Sequence, residues 1–355
     1  MGTAEIPFWE SKDAGELYLP RPPLMALREY VPGNLIYANG HRFVSRCYQL
    51  LPAEERESAV LEVTISRSAL REVDAGTAPS LTSRVLQSLP MDDVDLVHTS
   101  QISDEEDHRF QMGVAVLGYE RNRHSGGNVY SWGVQEVHLI KAMHLRMANV
   151  GCTTEIQRRI NFGYLICSVC GDSVSPLASE IQKTNFKTGH RERCGGGTKD
   201  AAQEFALHAD VVADAFKFQG FSDQIEAYSV LESIRLAAAN RIEMVPEDMQ
   251  ILVMGQMGSD EVTGCLIDPM PGGSGLLEQL VDRFQEIRDE AIKIVQTCPS
   301  ACQTSCTDCL QTYRNAFYHP QLDRHRALQF LESSGPQMKL ARAIPAMHYG
   351  GTVPT

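Results

Sequence analysis

The sequence predicts an α+β chain: a mixed β-rich N-terminal region followed by a helical metal-binding domain with a four-cysteine cluster. Three observations lead to that class. Runs rich in β-branched residues at Ala59 to Ile65 and Met112 to Tyr119 read as strands. Apolar residues recur at helical spacing in the C-terminal half, bounded by capping and breaking residues. Between two of those helices, Cys298, Cys302, Cys306 and Cys309 fall within twelve residues.

Residues 1–50 are expected to be a connector: Pro20, Pro22, Pro23 and Pro32 make a loop, and Gly33 and Gly40 flank Leu35-Ile36-Tyr37 in a short hairpin. Residues 51–160 form a β-rich domain, interrupted by the acidic stretch from Ser100 to Asp107. From Val134 to Val150 the pattern alternates, yet Val137, Ile140, His144 and Met147 also share one face of a helix, so both readings stay open. Residues 161–334 make the helical domain. Asp223 caps its first helix with Glu226 three residues on, and Val230, Leu231, Ile234, Ala238 and Ile242 form one stripe ending before Pro246. A second helix follows Gly275, carrying Leu277, Val281, Phe284, Ile287, Ala291 and Ile294, and Pro299 keeps it out of the cysteine run. Leu322 to Leu331 is a last short helix stopped at Gly335-Pro336, and residues 335–355 read as a loose tail.

With 355 residues the chain is long enough to bury roughly 75% of its unfolded surface, so metal is not needed merely to make a core. Of its ten cysteines, Cys47, Cys152 and Cys265 are scattered and seven lie in two clusters, one of them with His190, which is the placement of ligands and not of a disulfide framework. Met1 to Ile6 lacks a signal-peptide pattern, and no apolar run reaches the ~20 residues of a membrane helix. The expected location is a reducing cytoplasm, where thiolates persist. A net charge of −13 argues against gripping nucleic acid by bulk electrostatics. Local basic runs remain: Arg121 to His124, Lys141 to Arg146, Arg158-Arg159 and Lys183 to Arg193.

Four thiols spaced as Cys298, Cys302, Cys306 and Cys309 can surround one ion tetrahedrally at ~2.3 Å. Zinc is the expected metal, with an iron–sulfur cluster as the alternative, and a closed four-sulfur site is structural. The second cluster, Cys167-x2-Cys170 and His190-x3-Cys194, has a zinc-ribbon layout, with Phe162 to Ile166 as the strand behind the knuckle and Gly171 at the turn. Two zinc ions per chain are expected. Pro271-Gly-Gly-Ser-Gly-Leu276 looks like a phosphate loop but lacks Gly-Lys, so it is read as a tight turn, and Asp104-Glu-Glu-Asp107 is read as a solvated acidic loop. After the last cysteine, Tyr313, Arg314, Asn315, His319 and Arg324 interleave rings with cationic and amide groups suited to bases and phosphates. The competing reading packs Tyr313 on the cysteine loop and pairs Arg314 with a carboxylate such as Asp323.

Leu266-Ile-Asp-Pro-Met-Pro-Gly-Gly-Ser-Gly-Leu276, the four cysteines, Gln311-Thr-Tyr-Arg-Asn315 and His319-Pro-Gln-Leu-Asp-Arg324 together resemble the MrfA-type zinc-binding (MZB) domain. That family stands at the C-terminus of DEAD/DEAH-box superfamily 2 helicases and in the DrmB component of DISARM anti-phage defence. The resemblance runs from about Cys167 to Leu331 and includes Leu207-His-Ala-Asp-Val211, and Leu19 to Phe43 resembles the segment joining a helicase motor to this domain. It implies a zinc-binding accessory domain that assists DNA binding or unwinding by a motor.

No Walker A loop or RecA-like motor is recognisable in this sequence, so the expected role is non-catalytic, with the motor subunit or another defence-complex protein, and DNA, as partners. A structural adaptor that recruits the motor without touching nucleic acid is the alternative. A zinc or thiol enzyme would need an open metal position or an activated Cys265.

Overall fold

The strand His41–Tyr48 turns Phe43, Ser45 and Tyr48 inward, its period of two interrupted by a register shift between Ser45 and Cys47, and it lies inside a five-stranded sheet. In the computed structural model, which describes residues 2–5, 17–64, 68–102, 112–154, 159–194, 201–256, 258–259 and 261–347, the chain divides into two compact units. The acidic run Asp104 to Asp107 and Arg158 lie outside the described residues. One unit takes residues 1–63, 71–116 and 147–210, and the other takes 64–70, 117–146 and 211–355.

In the first unit the sheet order is Tyr18–Arg21, Gly2–Glu5, Val94–Gln101, His41–Tyr48 and Leu35–Ala38. The expected hairpin is present: Leu35–Ala38 pairs with His41–Tyr48 across Asn39-Gly40, both at positive φ as a tight two-residue turn requires. The proline-rich stretch before it is not all loop. Pro23 opens helix α1 (Pro23–Glu29), whose first amide needs no partner, and Leu24, Ala26 and Leu27 are buried. A second set of strands pairs Ala59–Thr64 with Arg84–Pro90, and Tyr164–Cys167 with residues 202–205. Buried phenols are satisfied internally: Tyr30 donates to Leu19 O at 2.6 Å, Tyr48 to Tyr30 O at 2.7 Å and Tyr164 to Asn149 Oδ1 at 2.8 Å. Helix α2 (Glu180–Arg193) starts from a capping box of Ser179 and Gln182.

The second unit is built on Val262–Asp268, which pairs antiparallel with Gln250–Gly255 and with residues 214–221. Helix α3 (Gln224–Arg241) is capped as expected, Asp223 Oδ1 accepting from Glu226 N at 3.0 Å. The helix after Gly275 is two: α4 (Leu276–Asp282) and α5 (Phe284–Gln296), broken at Arg283. The last helix is α6 (Arg324–Ser333), and α3, α5 and α6 pack on one another. Their shared core holds Phe216, Phe218, Ile234, Phe284 and Phe330 around Trp132, whose ring stands 5.0 Å from Phe284.

The segment left open between helix and strand is the strand Gln135–Thr154. The C-terminal stretch read as a loose tail contains a strand, Lys339–Ile344, which pairs with Gly127–Trp132. The basic run from Lys141 to Arg146 is no surface patch. Lys141 binds Asp214 and Glu278, and Arg146 is fully buried.

Candidate metal centres

Pro299 ends the helical register just after α5, and the following loop folds back so that its four thiols converge. Cys298 Sγ lies 3.7 Å from Cys302 Sγ and 3.5 Å from Cys306 Sγ, and Cys309 Sγ lies 3.7 Å and 3.9 Å from Cys302 and Cys306. A tetrahedral ion with 2.3 Å bonds needs sulfurs about 3.8 Å apart. Cys306 N donates to Cys309 Sγ at 3.2 Å, which helps to hold the turn. Cys298, Cys309 and Leu310 belong to the apolar core of the second unit, so the loop is seated on α3, α5 and α6. The Cys302 amide holds the Cys298 thiol down at about 7, whereas burial pushes Cys309 up to about 12. A bound cation would ionise all four.

The second centre stands on the strand Tyr164–Cys167 and on α2. Cys167 and Cys194 sulfurs are 3.8 Å apart, and Cys170 Sγ is 3.5 Å from His190 Nε2. About 3.6 Å is expected between a sulfur and an imidazole nitrogen on one tetrahedral zinc. Val169 N donates to Cys167 Sγ at 3.4 Å, and Arg56 holds the knuckle through Ser168 O at 3.0 Å. Gly171 sits at φ +75, where an added Cβ would meet Tyr48 O at 1.8 Å, so the turn demands glycine.

The residues considered for nucleic acid separate into two groups. Tyr313 is 77% exposed, and Arg314 is exposed with its Nε 3.4 Å from Glu247, not Asp323. Asn315 and Arg324 face inward, which corrects their assignment to a contact surface. Asn315 donates to Leu310 O at 2.8 Å, and half-buried His319 approaches Asn315 Oδ1 at 2.7 Å. Arg324 donates from Nε to Cys302 O at 2.9 Å. These two residues satisfy carbonyls that the irregular cysteine loop leaves without a helical partner.

Two further sequence candidates also have structural occupations. In the glycine loop, Asp268 Oδ2 accepts from both Ser274 N and Ser274 Oγ, at 2.5 and 2.6 Å, filling the position where an anion would approach. Cys265 is fully buried, which pushes its thiol up to about 12, and this is the opposite of an activated nucleophile.

The MrfA Zn-binding domain family (MZB) matches residues 231–310. This part of the chain is an MZB domain. It spans most of α3, the glycine loop, α4, α5 and all four cysteines of the first centre, whereas Cys167, Cys170, His190 and Cys194 lie outside it. Druantia protein DruE from Escherichia coli (strain UMEA 4076-1) is 23% identical over 190 residues, covering 46% of this chain. The match takes in 10% of that relative's length. Among solved structures, the DUF1998 helicase MrfA bound to DNA aligns with a TM-score of 0.41 and 10% identity, over 94% of this chain and 34% of that one. The DUF1998 helicase MrfA in a second crystal structure aligns at 0.40 and 9%, over 93% and 33%. Among the described residues, no helix is long and apolar enough to cross a membrane.

Proposed function

We propose that this chain is a zinc-binding accessory module of a DNA helicase or anti-phage defence complex. It assists DNA binding or unwinding by a motor supplied elsewhere and works in a reducing cytoplasm. The observation that carries the reading is the MZB match over residues 231–310, which includes four thiols spaced for a single ion. Two zinc ions are proposed, one in each centre. Sulfur separations of 3.5–3.9 Å in the MZB centre suit one tetrahedral ion, and an iron–sulfur cube would hold its thiolates farther apart. With four protein ligands each, both centres would be closed, which supports a structural and not a hydrolytic metal.

DNA contact is assigned to the exposed pair Tyr313 and Arg314 beside the MZB centre, a stacking ring next to a phosphate-binding cation. Binding to single- and double-stranded DNA across a salt series tests this. Affinity that falls steeply with salt supports a DNA-handling module. The net charge of −13 favours a second reading, an adaptor that recruits the motor without touching DNA, and the absence of any salt-dependent binding would establish that one.

A further inference from the structure

We infer that Asp172 is a positioning residue for the Cys167–Cys170–His190–Cys194 centre, turning His190 so that Nε2 faces the metal. This rests on the proposal that the centre binds zinc. Asp172 follows Gly171 at the knuckle turn, and its two carboxylate oxygens have different neighbours. Oδ1 accepts from Ser173 N at 3.0 Å and from Arg46 Nε at 3.3 Å. Oδ2 lies 3.8 Å from His190 Nδ1. On the opposite side of the ring, His190 Nε2 lies 3.5 Å from Cys170 Sγ. His190 is 3% exposed, which leaves bulk water little access to its ring nitrogens.

An imidazole has one nitrogen to ligate and one N–H to place. If Nδ1 carries the proton toward Asp172, the lone pair on Nε2 is free for the ion. At 3.8 Å the carboxylate is beyond hydrogen-bond reach but close enough to favour the N–H on the nitrogen that faces it, which is Nδ1. The Phe186 ring stacks on the imidazole at 5.0 Å and 24°, which sets its plane, so Asp172 is left to choose between the two orientations related by a flip about the Cβ–Cγ bond. Three thiolates and one divalent zinc carry a net negative charge, and another carboxylate nearby would oppose binding. Arg46, on the outer side of Asp172, offsets that charge.

The test compares full-length wild type, Asp172→Ala, Asp172→Glu and Cys170→Ser, each loaded with zinc and challenged with a graded chelator, while the MZB centre serves as internal reference. For Asp172→Ala we expect one of the two ions to leave at about 10- to 100-fold lower chelator concentration while the other leaves as in wild type. Asp172→Glu should recover part of the loss. In the cobalt-loaded chain, the bands of one centre should shift in Asp172→Ala. Release of both ions at wild-type chelator concentrations overturns the inference. So does a variant that melts early in excess zinc and sheds both ions together, which would make Asp172 a support for the loop alone. Cys170→Ser keeps the two questions apart: if it holds as much zinc as wild type, the centre does not bind zinc and the proposed two-ion reading falls first.

Discussion

Arg324 donates from Nη1 to the carbonyl of Val295 at 2.9 Å, joining the first turn of α6 to the last turn of α5 from inside the protein. Its Nε reaches Cys302 O in the cysteine loop, so one guanidinium satisfies two carbonyls that regular structure leaves open.

Arg324→Ala should therefore act on stability. Two carbonyls lose a charged donor, at a cost of about 2 kcal/mol or more, and the melting temperature should fall by roughly 4–8 °C. Differential scanning calorimetry of the zinc-loaded chain checks this. A variant that melts with wild type would place the arginine in solvent.

Tyr313→Ala combined with Arg314→Ala should leave melting within about 0.5 kcal/mol of wild type, because Tyr313 is mostly solvated and the Arg314–Glu247 pair is exposed. DNA affinity should fall, and its salt slope should flatten by about one. Fluorescence anisotropy at four or five salt concentrations is sufficient. Unchanged binding would move the contact surface elsewhere.

Metal analysis of the purified protein should find about two zinc ions per chain. Cys306→Ser should be the more damaging ligand loss and Cys170→Ser the milder, since the MZB loop is seated in the core of the second unit whereas Cys170 is exposed. Much of the ~10 kcal/mol of metal binding is coupled to folding at such sites. Equal melting temperatures for Cys306→Ser and wild type would refute the ranking, and iron with inorganic sulfide would refute zinc.

Glu62 supplies a pH dependence. Hydrogen bonds from Ser83 Oγ at 2.7 Å and from Arg71 hold its carboxyl below the ordinary value of 4.5. A carboxyl depressed on folding adds stability above its unfolded value, and that stability disappears as pH falls through the folded one. Glu62→Gln should thus lower stability at neutral pH and flatten the acid side of the curve below about pH 4.5, where wild type declines. Parallel melting curves from neutral to acid pH would contradict this.

Much of this arrangement was legible in the sequence because local signals agreed with one another. Asp223, Glu226 and the stripe from Val230 to Ile242 marked α3, and thiol spacing marked both centres. Other features were not legible, for physical reasons. Helix α1 hid among prolines, one of which starts it. The strand Gln135–Thr154 buries Leu139 and Ile140 side by side and then every residue from Leu145 to Cys152, so period two was lost and a helical spacing showed through. Asn315 and Arg324 looked like surface groups because sequence does not reveal which carbonyls a folded loop leaves unsatisfied.

The alternation of chain segments between the two units bears on how the polypeptide matures. Residues 64–70 and 117–146 leave the ribosome long before 211–355, which complete their unit. Those early strands must wait with open edges while roughly the last two-fifths of the chain is made, an interval of several seconds to tens of seconds at ordinary synthesis rates. The four thiols of that unit, at residues 298–309, come only late in the same interval, and a cut at any single peptide bond between residues 64 and 210 would divide at least one unit.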